Sequence, residues 1–102
     1  MLIKTPRLTI RPITRDDTFS IHEYASDKSI TMMLFLPNET ITETENFVNY
    51  AVNEWNKPDP DDREFVIVFQ NKIIGGINLE KTDPAGKYEI GWTIHPDYRN
   101  VV

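Results

Sequence analysis

The chain has 102 residues, 39% of them hydrophobic and 26% charged, with a formal net charge of −5, which suits one domain with one modest core. The acidic balance and the scattered Lys and Arg argue against a nucleic-acid partner, and the absence of cysteine excludes disulfides, thiolate metal sites and cysteine nucleophiles. Because the sequence has no signal-peptide segment and no run of 18 apolar residues, we expect a cytoplasmic protein with no membrane partner.

A strand and a helix come first in chain order. Residues 8–13 alternate apolar and polar side chains, which predicts a half-buried strand that ends at its proline. Thr14, followed by acidic residues, is typical of a helix N-cap. The helix is expected to run to about Ala25 and to direct Phe19 and Ile21, with Ala25, toward a core.

A second, longer helix is the most strongly patterned element. Thr42 and Glu45 predict a capping box at its start. Apolar residues with helical spacing then define one buried face: Phe47, Val48, Ala51, Val52 and Trp55. Residues 30–36, which precede this helix, are apolar without a clear period, and we interpret them as a short helix or a packed loop.

Three strands are predicted in the second half of the chain. Residues 64–69 are apolar on both faces, as in a central strand. Asn71-Lys72 connects them to residues 73–80, which predicts a tight hairpin with a positive φ at Asn71. Gly75-Gly76 within that second strand marks a bulge or a close approach by another backbone or ligand. Residues 88–94 alternate again. The order predicts a mixed α/β (α+β) fold with a mainly antiparallel sheet and helices between its first and second predicted strands.

Several kinds of chemistry lack support in the sequence. His22 and His95 do not lie in a nucleophile motif, which argues against a Ser-His-Asp hydrolase. Residues 59–62 carry calcium-type oxygens but lack the later Gly and Glu of a calcium loop, so a solvated acidic loop is the better interpretation and no metal site is expected.

The segment 88–100, Tyr-Glu-Ile-Gly-Trp-Thr-Ile-His-Pro-Asp-Tyr-Arg-Asn, resembles the fourth strand and following turn of GNAT acetyltransferases. The resemblance is to the branch that includes ribosomal-protein N-terminal acetyltransferases. Residues 5–11, Thr-Pro-Arg-Leu-Thr-Ile-Arg, and residues 73–77, Ile-Ile-Gly-Gly-Ile, resemble earlier parts of the same branch in the same order. The resemblance therefore covers essentially the whole chain and implies the N-terminal half of a GNAT fold.

The resemblance implies an N-acetyltransferase that moves an acetyl group from acetyl-CoA to a primary amine. In the family the fourth strand carries a bulge that frees backbone N–H groups for the pantetheine arm and the thioester oxygen. The matching cofactor-binding positions here are Trp92, Thr93, Ile94 and His95. Preorganised donors of this kind contribute about 3 kcal/mol to transition-state stabilisation.

Glu89 is the candidate general base that takes the proton of the amine, directly or through water, because a carboxylate beside a buried strand face can have a raised pKa. The alternative is that Glu89 is an ordinary solvent-facing or ion-paired strand residue. By the same resemblance, residues 32–37 line the acceptor side, although ordinary packing between helices explains them as well.

One part of the family pattern is missing. In the family, the turn after this strand continues into a glycine-rich loop and a helix that hold the CoA pyrophosphate. Arg99 and Asn100 occupy the first two positions of that turn, and Val101-Val102 follow. We therefore expect residues 1–102 to be a single truncated GNAT-like domain that binds CoA weakly and is impaired or inactive alone. An uncovered fourth strand would favour homo-oligomers, and the alternative is that these residues are part of a longer natural protein.

Two alternatives belong to other functional classes. One is a non-catalytic binding or assembly module derived from the acetyltransferase fold. The other is an unrelated small α+β domain that binds a peptide along its edge strand. The acceptor is left open among protein N-termini and small-molecule amines.

Overall fold

The computed structural model describes residues 2–26, 40–83 and 86–101. The elements in chain order are β1 (Ile3–Lys4), β2 (Thr9–Pro12), a 3-10 turn (Arg15–Asp17), α1 (Thr18–Ala25), α2 (Ile41–Trp55), β3 (Asp62–Phe69), β4 (Lys72–Lys81), β5 (Tyr88–Ile94) and a 3-10 helix (Pro96–Val101). Within these ranges no helix is both long and apolar enough to span a bilayer.

The five strands form one antiparallel sheet in the order β1-β2-β3-β4-β5. This confirms the mixed α/β class and the helices between the first two predicted strands, while β1 was not predicted. Gln70 and Asn71 form the β3–β4 turn with φ of 48° and 64°. Two successive left-handed residues match the right-handed twist of a hairpin. The turn thus lies one residue earlier than predicted, but the positive φ at Asn71 is confirmed.

The core lies where α1 and α2 pack on one face of the sheet. Its buried members are Ile13, Ile21, Tyr24, Ala25, Val48, Ala51, Val66 and Ile73. Ile21 and Ala25 were expected there, and Val48 and Ala51 supply part of the predicted face of α2, whereas Phe47 is 37% exposed. Phe19 was expected there too, but it is 77% exposed. The reason is that the α-helix begins only at Thr18, so the preceding 3-10 turn changes the direction in which Phe19 points.

A partly buried ion pair connects β2 to the start of α1. Arg11 donates from Nη1 and Nη2 to the two carboxylate oxygens of Asp17, each at 2.8 Å, and the backbone N–H of Thr14 donates to Oδ2 at 2.8 Å. Burial alone would raise the pKa of Asp17, but these hydrogen bonds outweigh it and the pKa lies below its ordinary value. The ion pair fixes where α1 leaves the sheet.

The start of α2 differs from its prediction. Thr40, not Thr42, is the N-cap, and its hydroxyl accepts the backbone N–H of Glu43 at 3.2 Å. The cap lies two residues earlier than predicted, and the sequence does not distinguish the two positions because both offer the same Thr-x-x-Glu spacing. Residues 30–36, interpreted as a short helix or a loop, lie outside the described residues.

The end of α2 holds the start of β3. Glu54 is buried and accepts the backbone N–H groups of Asp61 and Asp62 at 3.0 and 3.2 Å, and it also pairs with Lys57. Trp55 donates its indole N–H to the carbonyl of Glu64 at 2.8 Å. These bonds fix the strand segment that carries Asp62 and Glu64 beneath the helices.

Candidate functional site

A cavity of about 430 Å³ lies between the two helices and strands β3 to β5. We call it the sheet–helix cavity. Its lining is Ile21, Tyr24 and Ala25 of α1; Phe47, Tyr50 and Ala51 of α2; and Asp62, Glu64, Gly76, Asn78, Glu80 and residues 89–93 of the strands. No Lys or Arg lines it among the described residues, whereas four carboxylates do. The cavity therefore favours a ligand that carries positive charge and an apolar body.

Glu64 is the carboxyl group set deepest in this lining. Asn78, on the adjacent strand, donates its side-chain amide to Oε2 at 2.9 Å. A methyl group added at Gly76 would lie 3.3 Å from both Oε1 of Glu64 and the hydroxyl of Tyr24, so the missing side chain leaves room beside the carboxyl. Burial raises the pKa of Glu64 to about 8, against the hydrogen bond from Asn78, which lowers it.

Two tyrosines lie on the helix side of the cavity. Burial raises the pKa of Tyr24 far above its ordinary value, and the nearby charge of Glu64 adds to this, so Tyr24 stays a neutral phenol. Tyr50 donates its hydroxyl to Asp62 and so connects α2 with β3. That hydrogen bond raises the pKa of Tyr50, which also remains protonated.

Glu89, the predicted general base, lies on β5 opposite Glu80 and belongs to the cavity lining. Its side chain is exposed. Because side chains alternate along a strand, Glu89 and Thr93 share the face of β5 that looks toward the helices, and Trp92 lies on the other face. Glu89 is thus placed at the solvent-facing rim of the cavity.

The backbone of β5 offers donors at the edge of the described sheet. The N–H of His95 donates to the carbonyl of Ile74 at 2.6 Å. Since hydrogen-bonding direction alternates along an antiparallel strand, Thr93 also faces β4, and the N–H groups of Trp92 and Ile94 point away from it. Of the four predicted binding positions, Trp92 and Ile94 therefore place their N–H groups on the open side of β5. The N–H group of His95 is used in a hydrogen bond within the sheet.

The prediction of a bulge in β5 is wrong for the described pairing of β5 with β4. β5 pairs with β4 in regular register from Gly75–Ile94 to Lys81–Tyr88. A register shift lies instead between β3 and β4, where Ile67 pairs with Gly75 and Val68 pairs with Ile73, so the extra residue is Ile74, directly before the glycine pair. A methyl group at Gly75 would overlap the carbonyl oxygen of Thr93, so Gly75 allows β5 to pack closely without a bulge of its own. The predicted close approach by another backbone at the glycine pair is confirmed.

A charged cluster supports the turn that follows β5. Nε2 of His95 lies 3.3 Å from Oε2 of Glu23 in α1, and Nδ1 accepts the backbone N–H of Asp97 at 3.1 Å. Since Nδ1 accepts, the proton of the ring belongs on Nε2, where it faces Glu23. Lys72 pairs with the same carboxylate at 3.5 Å and lies 5.4 Å from the ring centroid of Tyr98. His95 therefore connects the end of β5 to α1.

Arg99 and Asn100 lie in the 3-10 helix Pro96–Val101, directly after the strand as the sequence predicts. Their binding roles stay predictions, and so does the lining role of residues 32–37, which lie outside the described residues. Across residues 2–26, 40–83 and 86–101, no group of three or more metal-type side chains is placed to hold an ion.

Sequence reasoning missed Glu64 and Asn78 as site residues. Glu64 was counted as the first residue of an apolar strand, and Asn78 as an ordinary strand position. One signal in the sequence could have identified both residues. Position 64 is acidic, position 78 is an amide, and the two positions lie in strands that pair as a hairpin. Burying such groups is costly unless each has a partner.

Comparison with known proteins agrees with this architecture. Residues 7–101 match the family model of the acetyltransferase (GNAT) domain. The chain is 34% identical over 102 residues to the uncharacterized N-acetyltransferase YnaD of Bacillus subtilis, covering 98% of this chain and 56% of YnaD. It is also similar to the crystal structure of a GNAT-family acetyltransferase from Bacillus anthracis, with a TM-score of 0.78 and 31% identity, covering 99% of this chain and 57% of that one.

A more distant structure shares the fold. RimL, a ribosomal L7/L12 alpha-N-protein acetyltransferase solved in complex with coenzyme A, superposes with a TM-score of 0.79 at 16% identity, covering 97% of this chain and 58% of that one. The chain thus spans a little over half the length of the relatives it matches. With the family model matched over nearly all of its residues, the chain belongs to the GNAT acetyltransferase family.

Proposed function

We propose that this chain carries the acetyl-binding and amine-binding parts of an N-acetyltransferase that moves an acetyl group from acetyl-CoA to a primary amine. The observation that carries the proposal is the placement of the sheet–helix cavity directly beside the backbone of β5. An amine held in the cavity would face a thioester held along β5, whose Glu89 and Thr93 belong to the same lining. Proximity of this kind is a large part of the advantage in acyl transfer.

The thioester is proposed to bind along residues 92–95. The open-edge N–H groups of Trp92 and Ile94 would polarise its carbonyl oxygen, and Thr93 and His95 hold that stretch to β4 and to the turn. Arg99 and Asn100 would begin the part of the site that receives the CoA phosphates. Donors fixed by a sheet need no reorganisation as negative charge develops on the oxygen.

Glu89 is proposed as the general base, directly or through one water. An acceptor that binds as an ammonium first loses one proton through Glu89 or water to solvent. The nitrogen lone pair then forms a bond to the thioester carbon as the C–S bond breaks. The second proton lost by nitrogen passes to Glu89 or water and ends on the departing thiolate, which leaves as the CoA thiol. The exposed position of Glu89 at the cavity rim supports exchange of that proton with solvent.

A non-catalytic binding or assembly module is the second candidate, and one observation favours it. Ile90 and Trp92, on the outer face of the edge strand β5, are 63% and 65% exposed. Apolar side chains beside an open strand edge are suited to pairing with another chain. On this reading, β5 forms a homo-oligomer interface.

Calorimetric titration with acetyl-CoA, followed by an assay of CoA thiol release with a panel of primary amines, tests the proposal. Because residues 1–102 are expected to hold CoA weakly, we expect weak but saturable binding and slow thiol release that requires an amine. No binding up to millimolar acetyl-CoA, together with no thiol release from any amine, would contradict acetyl transfer and favour the assembly module. Sedimentation equilibrium then shows whether the chain self-associates.

A further inference from the structure

We infer that Glu64 is the binding group for the acceptor, and that the acceptor is a primary ammonium attached to an apolar body that fills the sheet–helix cavity. The inference deepens the proposed function and rests on it, because only acetyl transfer makes the bound ammonium an acceptor. The binding site itself is defined by Glu64 and the cavity that it lines, whatever the reaction.

The first observation is the unequal use of the two oxygens of Glu64. Oε2 accepts a hydrogen bond from Asn78, whereas Oε1 has no hydrogen-bond donor among the described residues. Every fully buried side-chain oxygen among the described residues has a hydrogen-bond partner. Because Oε1 has none, it is not fully buried, and it is accessible from the cavity that Glu64 lines. Asn78 therefore fixes the orientation of the carboxyl group and leaves one oxygen open toward a ligand that donates.

The second observation is what surrounds that oxygen. Tyr24 and Gly76 lie beside it, and Phe47, Tyr50 and Ile21 supply apolar walls. A guest between these walls and Glu64 needs a donor at one end and an apolar surface along its length. An ammonium group also interacts favourably with aromatic faces, which a carboxylate does not.

The third observation is the charge of the rim. Asp62, Glu80 and Glu89 add three carboxylates to the lining, and no Lys or Arg opposes them among the described lining residues. Anionic ligands are repelled by such a surface and cations are attracted. The combination of a deep carboxyl oxygen, apolar walls and an acidic rim selects an ammonium rather than a neutral alcohol or a carboxylate.

The groups that face Glu64 define how its binding should depend on pH. They are Tyr24 of α1, Tyr50 of α2, Asp62 of β3, Asn78 and Glu80 of β4, and Glu89 of β5. Burial raises the pKa of Glu64 to about 8, so the free carboxyl is largely protonated at pH 7. An ammonium needs the carboxylate, and its binding at pH 7 should release up to about one proton.

The test is calorimetric titration of the chain with 2-phenylethylamine in the absence of acetyl-CoA. We expect affinity to rise about tenfold or more from pH 6 to pH 8, and buffers of different ionisation enthalpy should reveal the released proton. The neutral analogue 2-phenylethanol should bind weakly and without this pH dependence. A Phe-Gly-Gly peptide, compared with 2-phenylethylamine, shows whether the ammonium comes from a peptide N-terminus or from a small amine.

Glu64→Gln should lower the affinity for 2-phenylethylamine at pH 8 by about tenfold or more, and the charge-matched control Glu45→Gln, on the exposed side of α2, should leave it unchanged. Equal affinity of Glu64→Gln and the unaltered chain would overturn the inference. If the variant fails to fold, a pH-independent affinity in the unaltered chain would overturn it as well.

The two proposals can fail separately. Binding that depends on Glu64 without any thiol release would retain the ammonium site and remove acetyl transfer. Thiol release that is insensitive to Glu64→Gln would retain acetyl transfer and remove the site.

Discussion

The side-chain amide of Asn78 donates to Oε2 of Glu64 at 2.9 Å, and it opposes the effect of burial on the pKa of that carboxyl. The pair joins adjacent strands beneath the helices. Burial of the Glu64 carboxyl group costs folding free energy when the group is ionised. The hydrogen bond from Asn78 also orients this carboxyl group before any ligand binds.

That cost predicts a pH-dependent stability. The pKa of Glu64 rises from an ordinary value of about 4.5 to about 8 on folding, so the folded state holds the proton more tightly. The contribution of Glu64 to the free energy of unfolding is fully present below about pH 4.5. It is lost as the pH rises to about 8, by at most about 1.4 kcal/mol per pH unit. Chemical denaturation at pH 5, 6.5 and 8 should show this loss, and Glu64→Gln should flatten it. A parallel slope in the variant would contradict the prediction.

Asp17→Asn should destabilise the fold by roughly 2–3 kcal/mol at neutral pH. This is below the usual cost of breaking a fully buried pair because Arg11 is partly exposed. The pKa of Asp17 is lowered on folding, so its contribution is present above about pH 4 and is lost as pH falls through the folded pKa. Urea melts of Asp17→Asn and of the exposed control Asp16→Asn should differ at pH 7 and converge at low pH.

The two adjacent glycines should respond differently to the same methyl group. Gly75→Ala should cost about 1–3 kcal/mol because its methyl group overlaps the backbone carbonyl of Thr93. Gly76→Ala meets its neighbours at 3.3 Å and should cost less, but it should reduce amine affinity because the methyl group occupies space beside Glu64. Thermal melts and the amine titration on both variants test this. A Gly76→Ala variant that is less stable than Gly75→Ala would contradict it.

Glu89→Gln should lower kcat by about 100-fold or more if Glu89 is the base, since general bases usually contribute at least that much. KM for the amine should change little, because the ammonium is held by Glu64. The measurement is thiol release across pH, with Glu45→Gln as the matched control. A kcat within a factor of two of the unaltered chain would remove Glu89 from the reaction.

The sequence predicted elements whose pattern repeats. The alternation of residues 8–13 gave β2, and the buried positions Val48 and Ala51 of α2 follow from helical spacing. The prediction of the α2 cap was wrong because Thr40 and Thr42 share one local pattern, and the structure uses Thr40. The prediction that Phe19 is buried was wrong because a 3-10 turn, which has no distinct sequence pattern, precedes α1.

The candidate site was predictable in part. The binding residues of β5 stay a prediction, which rests on strand, proline and aromatic positions that together resemble one family. Glu64 was not, since its role depends on which residue faces it across the hairpin and above the sheet. Asn78 lies 14 residues away and Tyr24 40 residues away in the chain, and register over such separations is fixed by the fold rather than by a local pattern.

The two tryptophans sit in contrasting surroundings. Trp55 is half-buried, 5.2 Å from the ring centroid of Phe65 and hydrogen-bonded through its indole N–H. Trp92 is 65% exposed on the outer face of β5. Their fluorescence should therefore separate by wavelength and by access to iodide, a soluble quencher. One sample can then report loss of the core through Trp55 and coverage of the edge strand through Trp92, with no added label.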